Sequence, residues 1–98
     1  MKFLLAALLI ACALPASAAN HSVSIKGMKF SPASLNVAAG DTITFTNGDM
    51  MPHTASGSAF DTGNIAPGKS KKVTISAAGA HVYRCKLHPS MKGKVTAK

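Results

Sequence analysis

Asp41-Thr42-Ile43-Thr44-Phe45-Thr46-Asn47 sets an apolar side chain at every second position, with Ile43 and Phe45 on one face and threonines on the other. Successive side chains of an extended chain point to opposite faces, so this period of two describes a strand with one face buried and one in water. The alternation recurs on both sides of it, in Val23 with Ile25, Leu35 with Val37, and Val73 with Ile75. Turn-forming residues punctuate these runs at Ser31-Pro32, Ala39-Gly40-Asp41, Asn47-Gly48-Asp49, Ala66-Pro67-Gly68 and Ala77-Ala78-Gly79. The pattern predicts strands near residues 21–27, 28–30, 34–38, 41–47, 53–57, 70–76, 80–85 and 93–98, with Ser56 to Pro67 as a long crossing loop. Seven or eight short strands at this spacing predict an all-β fold, a β-sandwich with Greek-key connections.

Ahead of the strands, Met1-Lys2 leads into the apolar run Phe3 to Leu14, then Pro15 and Ala16-Ser17-Ala18. A charged start, a short apolar segment and an A-x-A cleavage site, in that order, read as a secretory signal peptide. The run falls short of the ~20 residues that span a bilayer. Residues 1–18 are therefore expected to be a leader and 19–98 a single domain exported to the periplasm. Leu9-Ile10-Ala11-Cys12 also resembles a lipobox, whose use would lipidate Cys12 and tether the domain to a membrane. The A-x-A site after Pro15 favours simple release, which removes Cys12 and leaves Cys85 as the one thiol. Exported domains of this size often use disulfides, and with one thiol a bound metal can take that stabilising role.

Lys and Arg number 11 against 3 Asp and no Glu, a net charge of +8 that loss of Lys2 with the leader lowers by one. Such a balance favours acidic partners and speeds encounter with them. Nucleic acid is excluded as a partner by the export signal and by the absence of any basic run with interleaved aromatics.

Chemistry concentrates in Cys85-Lys86-Leu87-His88-Pro89-Ser90-Met91, where a thiol, an imidazole and a thioether recur at every third position. Two His and one Cys with a weak axial Met is the donor set of blue-copper electron-transfer sites. Zinc prefers four strong ligands, for which a thioether is a poor substitute. Parity along residues 80–85 turns His81, Tyr83 and Cys85 to one face, so the thiol points inward at the strand end. A second imidazole must come from His21, His53 or His81. His81 lies four strand residues, roughly 13 Å, from Cys85, too far for one ion. His53 follows the turn-rich segment from Asn47 to Pro52 at the sandwich rim, so His53, Cys85, His88 and Met91 form the candidate ligand set for one copper. Taken singly, a Cys or Met is most often core filling; the conjunction carries the reading.

At these residues the chain resembles a cupredoxin, and within that family the amicyanins. Gly40 to Asn47 resembles the strand leading to the first ligand, Met51-Pro52-His53 the segment carrying it, and Gly93-Lys94-Val95 the closing strand. The spacing Cys85-x-x-His88-Pro89-x-Met91 resembles the short ligand loop of amicyanins rather than the longer loops of plastocyanin and pseudoazurin. The resemblance implies a cupredoxin-like sandwich, copper held by His53 and His88 through Nδ1, by Cys85 as thiolate and by Met91 as a long axial ligand. It further implies that Asn47 bridges the two ligand-bearing loops. Two positions depart from the family pattern: His81 stands where an aromatic is usual, and Ser90 where amicyanins have Phe, which puts partner choice at issue.

The expected activity is single-electron transfer by a monomer, with no catalysis of bond making. Partners are expected to be acidic redox proteins such as a dehydrogenase, a cytochrome c or a copper reductase, drawn by Lys69, Lys71, Lys72, Lys86, Lys92 and Lys94. Copper storage or delivery would use the same ligands but favours Met-rich tracts, and Met28, Met50, Met51 and Met91 do not form one. A Cys–His nucleophilic site lacks an evident orienting group. A structural adhesion module would be indifferent to loss of Cys85. If cleavage follows Ala18, Ala19-Asn20-His21 could form a square-planar Cu(II) site from amine, amides and imidazole, or be an ordinary strand start, since that geometry needs an unpaired terminus.

Overall fold

The computed structural model describes residues 18–98, so the proposed leader up to residue 17, with Cys12, lies outside the described residues. Eight strands follow in chain order: β1 (Asn20–Lys26), β2 (Lys29–Ser31), β3 (Ser34–Val37), β4 (Thr42–Asn47), β5 (Ser56–Gly57), β6 (Ser70–Thr74), β7 (Gly79–Arg84) and β8 (Lys92–Ala97). They form two four-stranded sheets, ordered β2-β1-β4-β6 and β3-β8-β7-β5. Pairing is mixed: β1 runs parallel to β4 and β3 parallel to β8, while the other pairs are antiparallel. The chain changes sheet at every connection except β1–β2 and β7–β8, the crossing pattern expected of a Greek-key sandwich.

The alternation read from sequence is the burial pattern of the strands. Val23 and Ile25 of β1, Ile43 and Phe45 of β4, and Tyr83 of β7 with Val95 of β8 turn inward and are almost wholly buried. Tyr83 sits at the centre of an aromatic cluster, its ring centroid 4.7 Å from Phe30, 5.3 Å from Phe60 and 5.5 Å from Phe45. The pairs with Phe30 and Phe45 are edge-to-face, and such pairs add about 0.5–1.5 kcal/mol each beyond area burial. Gly93, opposite Tyr83 in the β7–β8 ladder, leaves room for that ring, since a Cβ there would collide with the phenol.

Two predicted strands differ from the observed ones. The turn between β1 and β2 takes Gly27 and Met28 at φ 62° and 63°, a two-residue hairpin loop that moves Met28 out of the expected strand. The strand expected over 53–57 is confined to Ser56–Gly57, and His53 to Ser56 are buried without alternation. The reason is that residues 57–65 fold back over them: His53 bridges Ile65, the Thr62 amide donates to the Ala55 carbonyl, and Ser56 bridges Asp61. Both sides of that segment are covered, so no polar face remains.

His21 is the second residue of β1, paired with Ile43, and its Nε2 lies 2.9 Å from Asp41 Oδ2. The terminal segment is therefore an ordinary strand start, not the unpaired terminus a square-planar site requires. His81 is half-buried and bonds the Ala77 carbonyl at 2.7 Å, at the end of β7 remote from Cys85.

Candidate metal centre

The seven residues from Cys85 to Met91 connect β7 to β8, whose ladder closes on the Arg84–Lys92 pair. The loop is drawn tight by its backbone: the Cys85 amide donates to the Met91 carbonyl at 3.1 Å and the Met91 amide to the His88 carbonyl at 2.9 Å. Cys85 is fully buried, as parity predicts, Met91 is nearly so, and His88 is half-buried. Across the rim, His53 is fully buried, held by reciprocal backbone bonds with Ile65 at 2.7 and 3.2 Å.

His53, Cys85 and His88 converge. Cys85 Sγ lies 3.8 Å from His53 Nδ1 and 3.7 Å from His88 Nδ1, and the imidazole centroids are 5.0 Å apart. An ion bonded at about 2.0 Å to nitrogen and about 2.3 Å to sulfur would hold those atoms about 3.7 Å apart at a trigonal angle, and closer at a tetrahedral one. The donor set and its spacing thus fit a trigonal His₂Cys site, the arrangement associated with blue copper. Met91 ends the loop buried like Cys85, and its backbone is bonded to both Cys85 and His88.

Polar partners fix the donors. Burial pushes the Cys85 thiol up, but the Thr54 amide, both imidazoles and the Leu87 amide outweigh it and hold the thiol down to about 6. The sulfur is therefore thiolate at neutral pH, the form that binds metals. His53 Nε2 lies 2.9 Å from Asp49 Oδ2, which leaves Nδ1 facing the sulfur and fixes the ring. Asp49 also accepts the Gly27 amide at 2.8 Å and the Met28 amide at 3.0 Å, which anchor its carboxylate to the β1–β2 turn. The Met28 and Gly27 amides, with help from His53, hold the Asp49 carboxyl below the usual carboxylate range.

The link between the two ligand-bearing loops is not where the family resemblance implies. Asn47 is fully buried, but its Nδ2 donates to the Met51 carbonyl at 2.8 Å and the Ile65 carbonyl at 2.9 Å, while its Oδ1 accepts the Asp49 amide at 2.9 Å. Asn47 therefore braces the segment from Asp49 to His53 against Ile65, and none of these bonds reaches the Cys85 loop. The tie to the Cys85 loop is made by Thr54, whose amide donates to Cys85 Sγ at 3.3 Å and whose Oγ1 accepts the Lys86 amide at 2.9 Å. Lys86 in turn bonds Asp61 at 2.8 Å, which removes it from the free cations of the surface. Sequence reasoning missed Thr54 and Asp49; the position of Thr54 directly after His53 was the only available signal.

Large apolar side chains next to the donors in sequence are exposed. Met50, Met51 and Leu87 are exposed at 92%, 42% and 46%, with Pro52, Pro89 and Ser90 exposed beside half-buried His88.

Comparison with known proteins agrees with this geometry. A cupredoxin-like domain model matches residues 2–97. Amicyanin of Paracoccus denitrificans is 38% identical over 80 residues, covering 74% of this chain and 61% of that protein. Amicyanin-alpha of Methylorubrum extorquens is 33% identical over 87 residues, covering 82% and 73%. Plastocyanin A/B of Petroselinum crispum is 32% identical over 88 residues, covering 71% and 88%. The chain thus spans about three-fifths of the length of the Paracoccus amicyanins it matches. Among solved structures, an amicyanin mutant in the reduced state superposes with a TM-score of 0.74 at 29% identity, over 90% of this chain and 89% of that one. One copper is the cofactor of this family, and His53, Cys85 and His88 supply a ligand group of the kind it requires. The chain belongs to the cupredoxin family and is most like its amicyanins.

Proposed function

We propose that residues 19–98 form an exported type 1 copper protein of amicyanin-like role, released to the periplasm by cleavage of residues 1–18, in which His53, Cys85, His88 and Met91 hold one copper ion. The observation that carries the reading is a buried cysteine sulfur set 3.7 and 3.8 Å from two imidazole nitrogens. Copper bound there supplies one-electron chemistry by cycling between Cu(I) and Cu(II). The chain's own part is to hold the donors still. Reciprocal backbone bonds fix His53, Asp49 fixes its ring, the closed β7–β8 loop fixes His88 and Met91, and Thr54 joins the two halves. Donors that do not rearrange keep the reorganisation on electron transfer small, and the amide on the Cys85 sulfur tunes the potential.

His88 is the half-buried member of the set, within the apolar surface of Met51, Pro52 and Pro89. Such a surface suits brief docking, and redox encounters bury less than about 1,200 Å². The exposed Lys69, Lys71, Lys72, Lys92 and Lys94 supply steering toward an acidic redox partner. The protein acts as a monomeric carrier, not an enzyme. An optical spectrum with Cu(II) tests this: an intense thiolate-to-copper band, bleached on reduction and absent in Cys85→Ala, is expected. A colourless complex, or an unchanged spectrum in Cys85→Ala, overturns it.

A further inference from the structure

At the end of the sandwich remote from the ligand loops, Asp41 is 6% exposed. Its Oδ1 accepts the Ala19 amide at 2.9 Å, and its Oδ2 lies 2.9 Å from both the Ala38 amide and His21 Nε2. Among the described residues its one ion-pair partner is His21, which is charged only when protonated. A buried carboxylate without a permanent countercharge is costly to desolvate, and here the His21 imidazole and the Ala19 and Ala38 amides together offset that cost. Ala19 itself cannot drift, because its carbonyl accepts the Thr42 amide at 3.0 Å and β1 begins at the next residue. Ala18 and Ala19 are both exposed, so the peptide bond between them lies at the surface.

We propose that the Asp41 carboxylate is the docking site for the α-ammonium group that cleavage after Ala18 creates on Ala19. The inference rests on the reading of residues 1–18 as a cleaved leader. Signal-peptidase hydrolysis adds water across the Ala18–Ala19 amide, leaving a carboxylate on the departing Ala18 and an ammonium on Ala19. The single neutral N–H facing Oδ1 becomes a cation with three donors, one for Oδ1 and two for water. The amide bond to the carboxylate already has one ionised partner, and the ammonium ionises the second, so a direct ion pair is added to the hydrogen bond. Processing therefore completes the fold at this end: the mature chain gains an ion pair that its precursor lacks. It also commits the terminal amine and His21 to the same carboxylate, which keeps Ala19-Asn20-His21 from closing on Cu(II).

Two chains released from a cleavable fusion, one beginning at Ala19 and one at Ala18, are compared at equal copper loading. The extra residue moves the ammonium by about 3.8 Å and returns a neutral amide to Asp41. The Ala19 chain is expected to melt about 4 °C or more above the Ala18 chain, and Nα-acetylation of the Ala19 chain is expected to remove the difference. Equal melting temperatures for the two termini, or no effect of acetylation, overturn the docking. The mass of the exported protein tests the leader separately: a mature chain beginning elsewhere than Ala19 overturns the processing step whatever the melting data show. Cu(II) titration of the Ala19 chain is expected to end at one equivalent, and a second tight equivalent lost in His21→Ala overturns the proposal.

Discussion

Replacing Asn47 by Ala removes three hydrogen bonds from a side chain with no solvent exposure. A typical intramolecular bond contributes about 1 kcal/mol net, so the bonds together are worth about 3 kcal/mol. The groups left behind do not suffer equally. The Met51 carbonyl belongs to an exposed residue and can turn to water, and the Ile65 carbonyl keeps the His53 amide at 3.2 Å. The loss should therefore stay near that figure and not rise to the full penalty of stranded buried groups. In a domain of this size each kcal/mol moves the melting temperature by about 4–8 °C, which gives a fall of about 12–24 °C for Asn47→Ala. Urea unfolding of the copper-free protein checks the magnitude without contribution from the metal, and an unchanged slope against denaturant would show that compactness is not altered. A fall of less than about 4 °C would refute the reasoning, because it would mean that the Asn47 amide does not brace the loop from Asp49 to His53.

Thr54→Val keeps the amide bond to Cys85 Sγ but deletes the acceptor for the Lys86 amide and the Ser56 hydroxyl; a shift in the thiolate-to-copper band and in the reduction potential is expected, with Thr54→Ser restoring both. Gly93→Ala drives a methyl group into the Tyr83 ring, and because that ring is locked among three phenylalanines the substitution should cost about 1–3 kcal/mol in denaturant unfolding, as overpacking does. The His21 hydrogen bond, followed by the Ala19 and Ala38 amides, lowers the Asp41 carboxyl to about 2, below its unfolded value near 3.8. Its contribution is thus complete above pH ~4 and lost as pH falls toward 2, so the stability gap between the parent and Asp41→Asn should close over that interval in pH-dependent melting. Asp61, lowered to about 2 by Lys86 first and then by the Gly63 amide and Ser56, should behave alike in Lys86→Ala against parent, with a smaller amplitude because that pair is exposed to solvent.

Much of this protein was legible before any coordinates. Period-two alternation located the strands because side-chain parity is a local property of extended backbone, and it correctly turned Tyr83 and Cys85 inward. Strand rise alone separated His81 from Cys85, and loop spacing alone gathered Cys85, His88 and Met91. The structure brings His53, the imidazole chosen from sequence, together with Cys85 and His88. The segment from His53 to Ser56 was misread as a longer strand because its burial comes from residues 57–65 folding over it, a cover that alternation cannot register.

What the sequence by itself determined is therefore the class of fold and, in Cys85, His88 and Met91, the short-spaced part of the candidate donor set, since both follow from periodicity and short spacings. Only the tertiary structure decided which polar groups hold the ligands in place. Asp49 gathers amides 21 and 22 residues away as well as His53, and Thr54 reaches 31 and 32 residues to Cys85 and Lys86. Asn47, expected to join the two ligand loops, braces one of them. Hydrogen bonds between residues so far apart follow from which strands pair within each sheet, β1 with β4 and β5 with β7, and no local pattern in the chain encodes that pairing.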